Sequence, residues 1–382
     1  MTVRADTPAA TTMRRAGLAD APAITAFLKR LGLVMPEGDE AVRRHWQLLW
    51  RDNPALKAHA RDAALGWVVE AEGQIVGFFG NIPQLSYFGG ERVRVSSARA
   101  WGVDKAFRAE TPRLCEAFFG QQNVDLLLIS SASAPAGRRC LEFGAARLPQ
   151  PGYDEILYWV LDGGGFARAA LRKKGAGAAA TLLVGGLGGM ALNARVRLTG
   201  RRPFAALDDV TIARTDEIDA AFDALWQAKL KEYPVRLLAC RDAATLCWYF
   251  GLGAQATETR FACVRRGGKL QGYAALVRED SPAIGLRRLK IADMLVLGDD
   301  PATVAALLAA AYEYGLAKRC HVLELIGLPE NVRGLVAAAK PLSRPMATFP
   351  FFYKALKPAL VEALDTGDGW YVTAFDGDTA LL

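Results

Sequence analysis

Trp67-Val68-Val69-Glu70-Ala71-Glu72-Gly73-Gln74-Ile75-Val76-Gly77-Phe78 is the stretch on which the fold turns. An aromatic and two β-branched residues open it, glycine follows where the chain must reverse, and a second apolar run begins at once: strand, tight turn, strand. The same reading recurs 195 residues later, where Arg260-Phe261-Ala262-Cys263-Val264 leads to Gly268-Lys269-Leu270-Gln271-Gly272-Tyr273. Both turns open the pattern Gly-[Gln/Lys]-[Ile/Leu]-x-Gly-[Phe/Tyr].

Neighbouring signals fall at nearly the same offset, as an internal repeat requires. Thr12-Met13-Arg14-Arg15 reads as a strand ahead of a helix near Leu18-Ala19-Asp20, and Val210-Thr211-Ile212-Ala213 stands likewise ahead of Thr215-Asp216-Glu217. Helical segments end in Trp50-Arg51-Asp52-Asn53 and in Trp248-Tyr249-Phe250-Gly251. Apolar strands follow at Val124 to Ile129 and at His321 to Ile326. Each half reads β, α, α, β, β, β, α, β, α, β. The expectation is an α+β chain with two domains of one type, 12–162 and 208–382, each a mixed sheet flanked by helices and joined through 163–207.

That joining segment holds the charge asymmetry. The chain carries 47 Lys+Arg against 40 Asp+Glu, yet no acid lies between Asp162 and Asp208. Arg168, Arg172, Lys173, Lys174, Arg195, Arg197, Arg201 and Arg202 supply eight positive charges there, and without them 39 basic residues face 40 acidic ones. Basicity confined to one segment argues against nucleic-acid binding by the whole chain. Between the basic flanks, Gly175 to Ala194 is a run of 20 uncharged residues, six of them Gly and six Ala. Such a run inserts weakly into a bilayer. It suits either a shallow helix on an anionic leaflet or a Gly/Ala-rich interdomain helix packed on protein.

Cys115, Cys140, Cys240, Cys247, Cys263 and Cys320 form no C-x-x-C pair, as expected of reduced thiols. His45, His59 and His321 add no metal-ligand spacing, so no metal is expected. Met1 to Thr12 lacks the apolar core of a signal peptide, and a cytoplasmic protein, peripheral on the inner membrane, is expected.

The repeated hairpin, followed by the long strand Arg92 to Val103 and then Asp104-Lys105-Ala106-Phe107-Arg108 and a helix, resembles the GNAT acyltransferase superfamily in tandem over roughly Thr12 to Asp162 and Asp209 to Leu382. The resemblance implies that the loop after the fourth strand holds the CoA pyrophosphate on backbone amides and a helix N-terminus, where dipole and unsatisfied N–H groups favour phosphate. The positions so implicated are Trp101, Val103, Lys105, Arg108, Ala109 and Arg113, with Ser133 ahead of the next helix. The family pattern Arg/Gln-x-x-Gly-x-Gly/Ala is here Arg108-Ala109-Glu110-Thr111-Pro112-Arg113, which keeps the leading Arg, loses both glycines and adds an acid. The second-half counterpart, Gly298-Asp299-Asp300-Pro301-Ala302-Thr303, is acidic, which makes the first half the expected acyl-CoA site and the second half the expected acceptor side.

For proton transfer the resemblance implies a Tyr as acid, and Cys140 occupies that spacing, either as donor or as a buried helix cysteine. Asp293 and Glu324 are lone acids inside apolar strands, suited to a base of raised pKa or to a structural ion pair. His45, in Arg43-Arg44-His45-Trp46, suits a base or simple packing. The tail Trp370-Tyr371-Val372-Thr373-Ala374-Phe375-Asp376-Gly377-Asp378 reads as a strand and an acidic turn. By analogy with tandem N-myristoyltransferases, Asp376, Asp378 and the Leu382 carboxylate join the candidates.

The implied activity is acyl transfer from acyl-CoA to an amine, the leading acceptor a long-chain base as in bacterial ceramide synthase-like enzymes. An amino-sugar N-acetyltransferase of envelope biosynthesis and a non-catalytic membrane scaffold are the alternatives.

Overall fold

The computed structural model describes residues 10–59, 63–177, 185, 188–194, 202–232, 234–252, 259–346 and 350–377. The chain divides into two compact units: residues 1–148, 348–365 and 377–379 form the first, and 149–347, 366–376 and 380–382 the second.

The first unit runs β1 (Thr11–Arg15), α1 (Ala21–Arg30), α2 (Asp39–Trp46), α3 (Leu56–His59), β2 (Gly66–Ala71), β3 (Gln74–Phe88), β4 (Glu91–Val103), α4 (Thr111–Phe119), β5 (Leu126–Ile129), α5 (Ala134–Glu142) and β6 (Ala146–Arg147). β15 (Phe352–Ala355) and α12 (Pro358–Ala363) complete it. The hydrogen-bonded order is β1-β2-β3-β4-β5-β15-β6. The deciding hairpin folds as read: Glu72 (φ 52°) and Gly73 (φ 75°) form a two-residue turn with both residues left-handed, which matches the twist of the flanking strands. Leu114, Cys115 and Phe118 set an apolar stripe of α4 against Val69, Phe79 and Leu127 of the sheet. Burying each large side chain contributes about 2 kcal/mol.

The second unit contains β7 (Glu155–Val160), α6 (Gly163–Lys173), α7 (188–194), β8 (Val210–Arg214), α8 (Ala220–Glu232), β9 (Leu238–Ala239) and α9 (Ala243–Leu252). β10 (Thr259–Arg266), β11 (Lys269–Arg278), β12 (Arg288–Val296), α10 (Pro301–Ala317), β13 (Val322–Ile326), α11 (Glu330–Ala337) and β14 (Leu342–Pro345) follow. Its sheet order, β8-β10-β11-β12-β13-β7-β14, repeats that of the first unit position by position. The core lies between α10, through Val304, Leu307, Leu308 and Ala311, and the apolar face of β10 to β13.

One part of the expected division changes. β7 was assigned to the half 12–162, but it pairs with β13 and β14 in the second sheet. The corresponding place in the first sheet, beside β5, is taken by β15 from far along the chain. Each sheet thus receives its penultimate strand from outside its own run of repeats. Trp370 to Thr373 forms isolated bridges rather than the expected strand.

In the joining segment, the described residues are packed. Asn193 accepts a hydrogen bond from Gly163 N at 2.8 Å, and a Cβ on Gly189 would come within 2.4 Å of Gly164 Cα. Glycine at these points lets two helix backbones touch, which accounts for part of the composition that suggested a lipid-facing helix. Arg172 bonds Ile284 O, and Arg202 pairs with Glu313. Arg195, Arg197 and Arg201 lie outside the described residues. Among the described residues no helix is long and apolar enough to cross a membrane.

Candidate active site

β4 and β5 are parallel neighbours only from Val95 to Ser97, opposite Leu126 to Leu128. Beyond Ser97, β4 continues to Val103 bonded to β3 alone among the described strands, so the two parallel strands part into a fork. The cause is local: Ala100 is an extra residue opposite β3, with φ 49°, and this bulge re-aims the strand. One arm of the fork carries Trp101 and Val103. The other leads through Ser130 to Ser133, whose side chain caps α5 by accepting from Ala136 N. Trp101 is held by stacking: Phe79 lies between it and Phe118, with ring centroids 4.9 and 4.4 Å away.

At the end of β4, Lys105–Glu110 winds as a 3-10 turn into α4. Lys105, Arg108, Ala109 and Arg113 are exposed along it. Glu110, the acid expected to oppose phosphate, is restrained: it accepts from Thr11 Oγ at 2.9 Å and from Arg113 at 3.1 Å. Arg113 is thereby engaged, which leaves Lys105 and Arg108 as the cations at the fork's mouth.

The second unit forks in the same way, since β12 pairs with β13 only through Ile291 opposite Leu325. Here the chain's own residues fill the gap. Thr373 bridges Gly327, Leu328 N donates to Val372 O, and Tyr371 Oη donates to Met294 O of β12 at 2.7 Å. The loop that would meet phosphate is occupied by acids. Gly298 N donates to Glu232, Thr303 N donates to Asp300, and Asp299 accepts from the fully buried Lys229 at 2.7 Å and from Asn331 at 2.6 Å. Carboxylates take the amides and the cation that a pyrophosphate would need.

The candidate acids and bases fall into distinct settings. Asp293 is fully buried and saturated: Arg241 donates to both its oxygens, Tyr273 Oη donates at 2.6 Å and Thr373 Oγ at 2.8 Å. Asp376 shares the same guanidinium at 3.0 Å, and burial raises its pKa against that pull. Burial works against the charge of Arg241 too, but the two carboxylates outweigh it and lift its pKa above the ordinary arginine range. The network bonds both oxygens of Asp293, whereas the bonds to Asp376, from Arg241 and Thr373, all fall on its Oδ2. Glu324 accepts from Arg344 at 2.9 Å and lies 3.6 Å from Arg288, an ion pair in the second sheet. Cys140 is a core residue of the first unit, its thiol pushed up to about 11 by burial, which is the setting of a buried helix cysteine.

His45, on α2, is the one named candidate base among the described residues of the first unit. Burial, with the charge of Arg99 adding to it, lowers its pKa to about 4, so its imidazole is neutral at pH 7. Asp378 and Leu382 lie outside the described residues. Gly377, just before them, accepts from Gln84 Nε2 at 3.1 Å, and its Cα packs against Ser130 at the β5 arm of the fork. Among the described residues no three of His, Cys, Asp or Glu are grouped as metal ligands would be.

The chain superposes on several solved proteins. A probable N-acyltransferase from Enterococcus faecalis superposes with TM-score 0.58 at 10% identity, covering 91% of this chain and 73% of that one. The chain has the GNAT fold. GCN5-related N-acetyltransferases from Kribbella flavida (TM-score 0.57, 10% identity, 93% of this chain and 74% of that one) and Anabaena variabilis (0.56, 12%, 91% and 73%) superpose comparably. No family model and no curated protein matches the sequence. At such identities the GNAT likeness fixes the arrangement of strands and leaves the chemistry to the side chains described above.

Proposed function

We propose that the protein is an acyl-CoA-dependent N-acyltransferase whose first unit holds the thioester and whose second unit is a non-binding partner domain. The observation that carries this reading is the contrast between the forks: the first presents Trp101, Val103 and exposed Lys105 and Arg108, whereas the second is filled by Tyr371 to Thr373 and lined with acids. In the reaction the acceptor nitrogen attacks the thioester carbonyl, the C–S bond breaks, the amine loses a proton and the thiolate gains one. A strand amide between Trp101 and Val103 stabilises the oxyanion, and holding both substrates supplies the entropic advantage.

A long-chain amine is the acceptor we favour. Supporting it is a groove of about 700 Å³ between α1 and α2, whose lining joins apolar Leu18, Ala21, Pro22, Ala26 and Val42 to charged Lys29, Asp39 and Arg43, a mixture that suits an alkyl chain bearing a polar head. Exposed Arg172, Lys173 and Lys174 would meet an anionic cytoplasmic membrane surface. Changing these three to Gln should reduce sedimentation with anionic vesicles at least threefold and leave acyl-CoA binding intact. Equal sedimentation would remove the membrane from the proposal.

Calorimetry with a long-chain acyl-CoA, joined to thiol release in the presence of amines, tests the activity. We expect one acyl-CoA per chain. Arg108→Glu should weaken binding at least tenfold, because a charge-assisted phosphate contact becomes a repulsion. Two sites per chain, or binding insensitive to Arg108→Glu, would refute the assignment of the first fork. Binding without thiol release for any amine would leave a scaffold.

A further inference from the structure

We propose that Leu31 is a specificity-determining residue of the first fork, the apolar wall against which the acyl chain of the thioester leaves β4 across Gly102. The inference rests on the N-acyltransferase reading and adds to it the route of the acyl chain and the side chain that selects it.

β4 changes character where the fork opens. It is buried from Val95 to Arg99, whereas every residue from Ala100 to Asp104 is half-buried, so this arm can be reached from solvent. Asp104 N donates to Val76 O of β3 at 2.8 Å, and alternation along the strand then turns the amides of Trp101 and Val103 away from β3 and into the fork. The side chains of these two residues pack on the core that holds Leu114 and Phe118 of α4. Gly102, between them, therefore faces the opposite side of the sheet. Having no side chain, it leaves that side to Leu31, the residue that ends α1. A Cβ on Gly102 would stand 2.3 Å from Leu31 Cδ1, and among the described residues, its chain neighbours apart, only Leu31 comes within 4 Å of that position. Leu31 is itself half-buried, and it opens the uncharged run Leu31-Gly32-Leu33-Val34-Met35-Pro36, in which Val34 is fully exposed.

This geometry gives an acyl group one way out. A carbonyl oxygen that accepts from the amide of Trp101 or Val103 stands about 3 Å from the strand, which brings the first carbons of the acyl group beside Gly102. Toward α4, the side chains of Trp101 and Val103 take up the space. Across Gly102 the space is free and its wall is a leucine. An alkyl chain gains from that wall with every methylene it covers, while an acetyl group ends beside Gly102 and gains little. Within α1, the lining of the α1–α2 groove runs from Ala21 to Lys29, so the acceptor and the acyl chain meet different side chains.

The test assays the full-length protein with acetyl-, octanoyl- and palmitoyl-CoA, each with dodecylamine and with glucosamine. The parent should favour palmitoyl- over acetyl-CoA in kcat/KM. Leu31→Asn should cut that ratio at least tenfold, Leu31→Met should keep it within threefold, and both should bind CoA, which carries no acyl group, as the parent does. Gly102→Ala should also cut the ratio at least tenfold, because its Cβ drives Leu31 into the path of the chain, and adding Leu31→Ala should recover at least threefold. A parent that favours acetyl-CoA, or a ratio that Leu31→Asn changes less than threefold, would overturn the acyl wall while the acyltransferase reading stands. So would loss of CoA affinity in Leu31→Asn, the mark of a merely structural residue. A change confined to the preference between the two amines would overturn it as well, by placing Leu31 against the acceptor. No thiol release from any of the three thioesters with either amine would sink the parent reading, and this one with it.

Discussion

Arg241→Met should lower the stability of the second unit by about 3–5 kcal/mol, the cost of leaving buried charge without its counterion. Two carboxylates depend on that guanidinium, Asp293 at 3.0 Å and Asp376 at 3.0 Å, and none of the three side chains is more than 7% exposed. Methionine keeps most of the volume, so the loss reports charge rather than a cavity. A second substitution separates the terms: Arg241→Met with Asp293→Asn should recover at least half of the deficit, since the side chain is then uncharged, Tyr273 Oη still donates to an amide oxygen at the Oδ2 position and Thr373 Oγ accepts from the amide nitrogen at the other. The deficit of the single variant should also shrink as pH falls from 7 toward 5. Burial already raises the Asp376 carboxyl against the pull of Arg241, and without that cation the rise is unopposed, so the variant's native form takes up protons that the unfolded chain has yet to bind, and its stability relative to the parent rises on acidification. Urea midpoints at the two pH values measure all three quantities. A deficit below 1 kcal/mol at pH 7, or one unchanged by acid, would show that the network does not hold the tail.

How much of this was legible in the sequence depended on whether the determinant was local. The hairpin repeat was legible in detail. The β2–β3 register slips between Val69, opposite Gly77, and Glu70, opposite Ile75; the β10–β11 register slips between Val264, opposite Gly272, and Arg265, opposite Leu270, the same positions 195 residues on. Alternation and turn residues encode such features within a dozen positions. The fork was less legible, because the bulges at Ala100 and Ala292 depend on pairing with a neighbouring strand. Ion networks were visible only as anomalies. Lys229 continues the apolar stripe Phe222, Leu225, Trp226 at the next helical position, a sign that its ammonium has a buried partner, and Arg241 ends the apolar run Leu237 to Cys240. Glu232, one turn on, is a local partner of Lys229, but Asp299 and Asp376 lie 70 and 135 residues from the cations they bind, and no local pattern names them. At Cys140 spacing left two readings, a donor or a buried helix cysteine, and its place in the core with Cys115 and Phe352 is that of the second.

A polypeptide spanning residues 1–162, the division read from the repeat, should be insoluble, because it lacks the strand that its own sheet requires. β15 sits between β5 and β6, with Phe352 to Ala355 opposite Ile129 to Leu126 on one side and Phe352 and Tyr353 opposite Arg147 and Ala146 on the other. Without it, Leu126-Leu127-Leu128-Ile129 becomes a bare apolar edge, a template for aggregation. The fragment would carry β7 in its place, whose partners β13 and β14 are absent from it. The geometry also indicates the remedy. β6 and β15 are antiparallel neighbours, and Leu148 N donates to Phe351 O at 2.9 Å, so the two strands need only a hairpin turn between them. Residues 1–148 joined through Asn-Gly to 351–365 should therefore yield soluble, cooperatively folding protein where 1–162 yields aggregate. Soluble fraction and the sharpness of the thermal transition compare the two. If 1–162 folds alone, β7 can substitute for β15 and the exchange of strands is not obligatory; if neither folds, the first sheet requires more of the chain than β15.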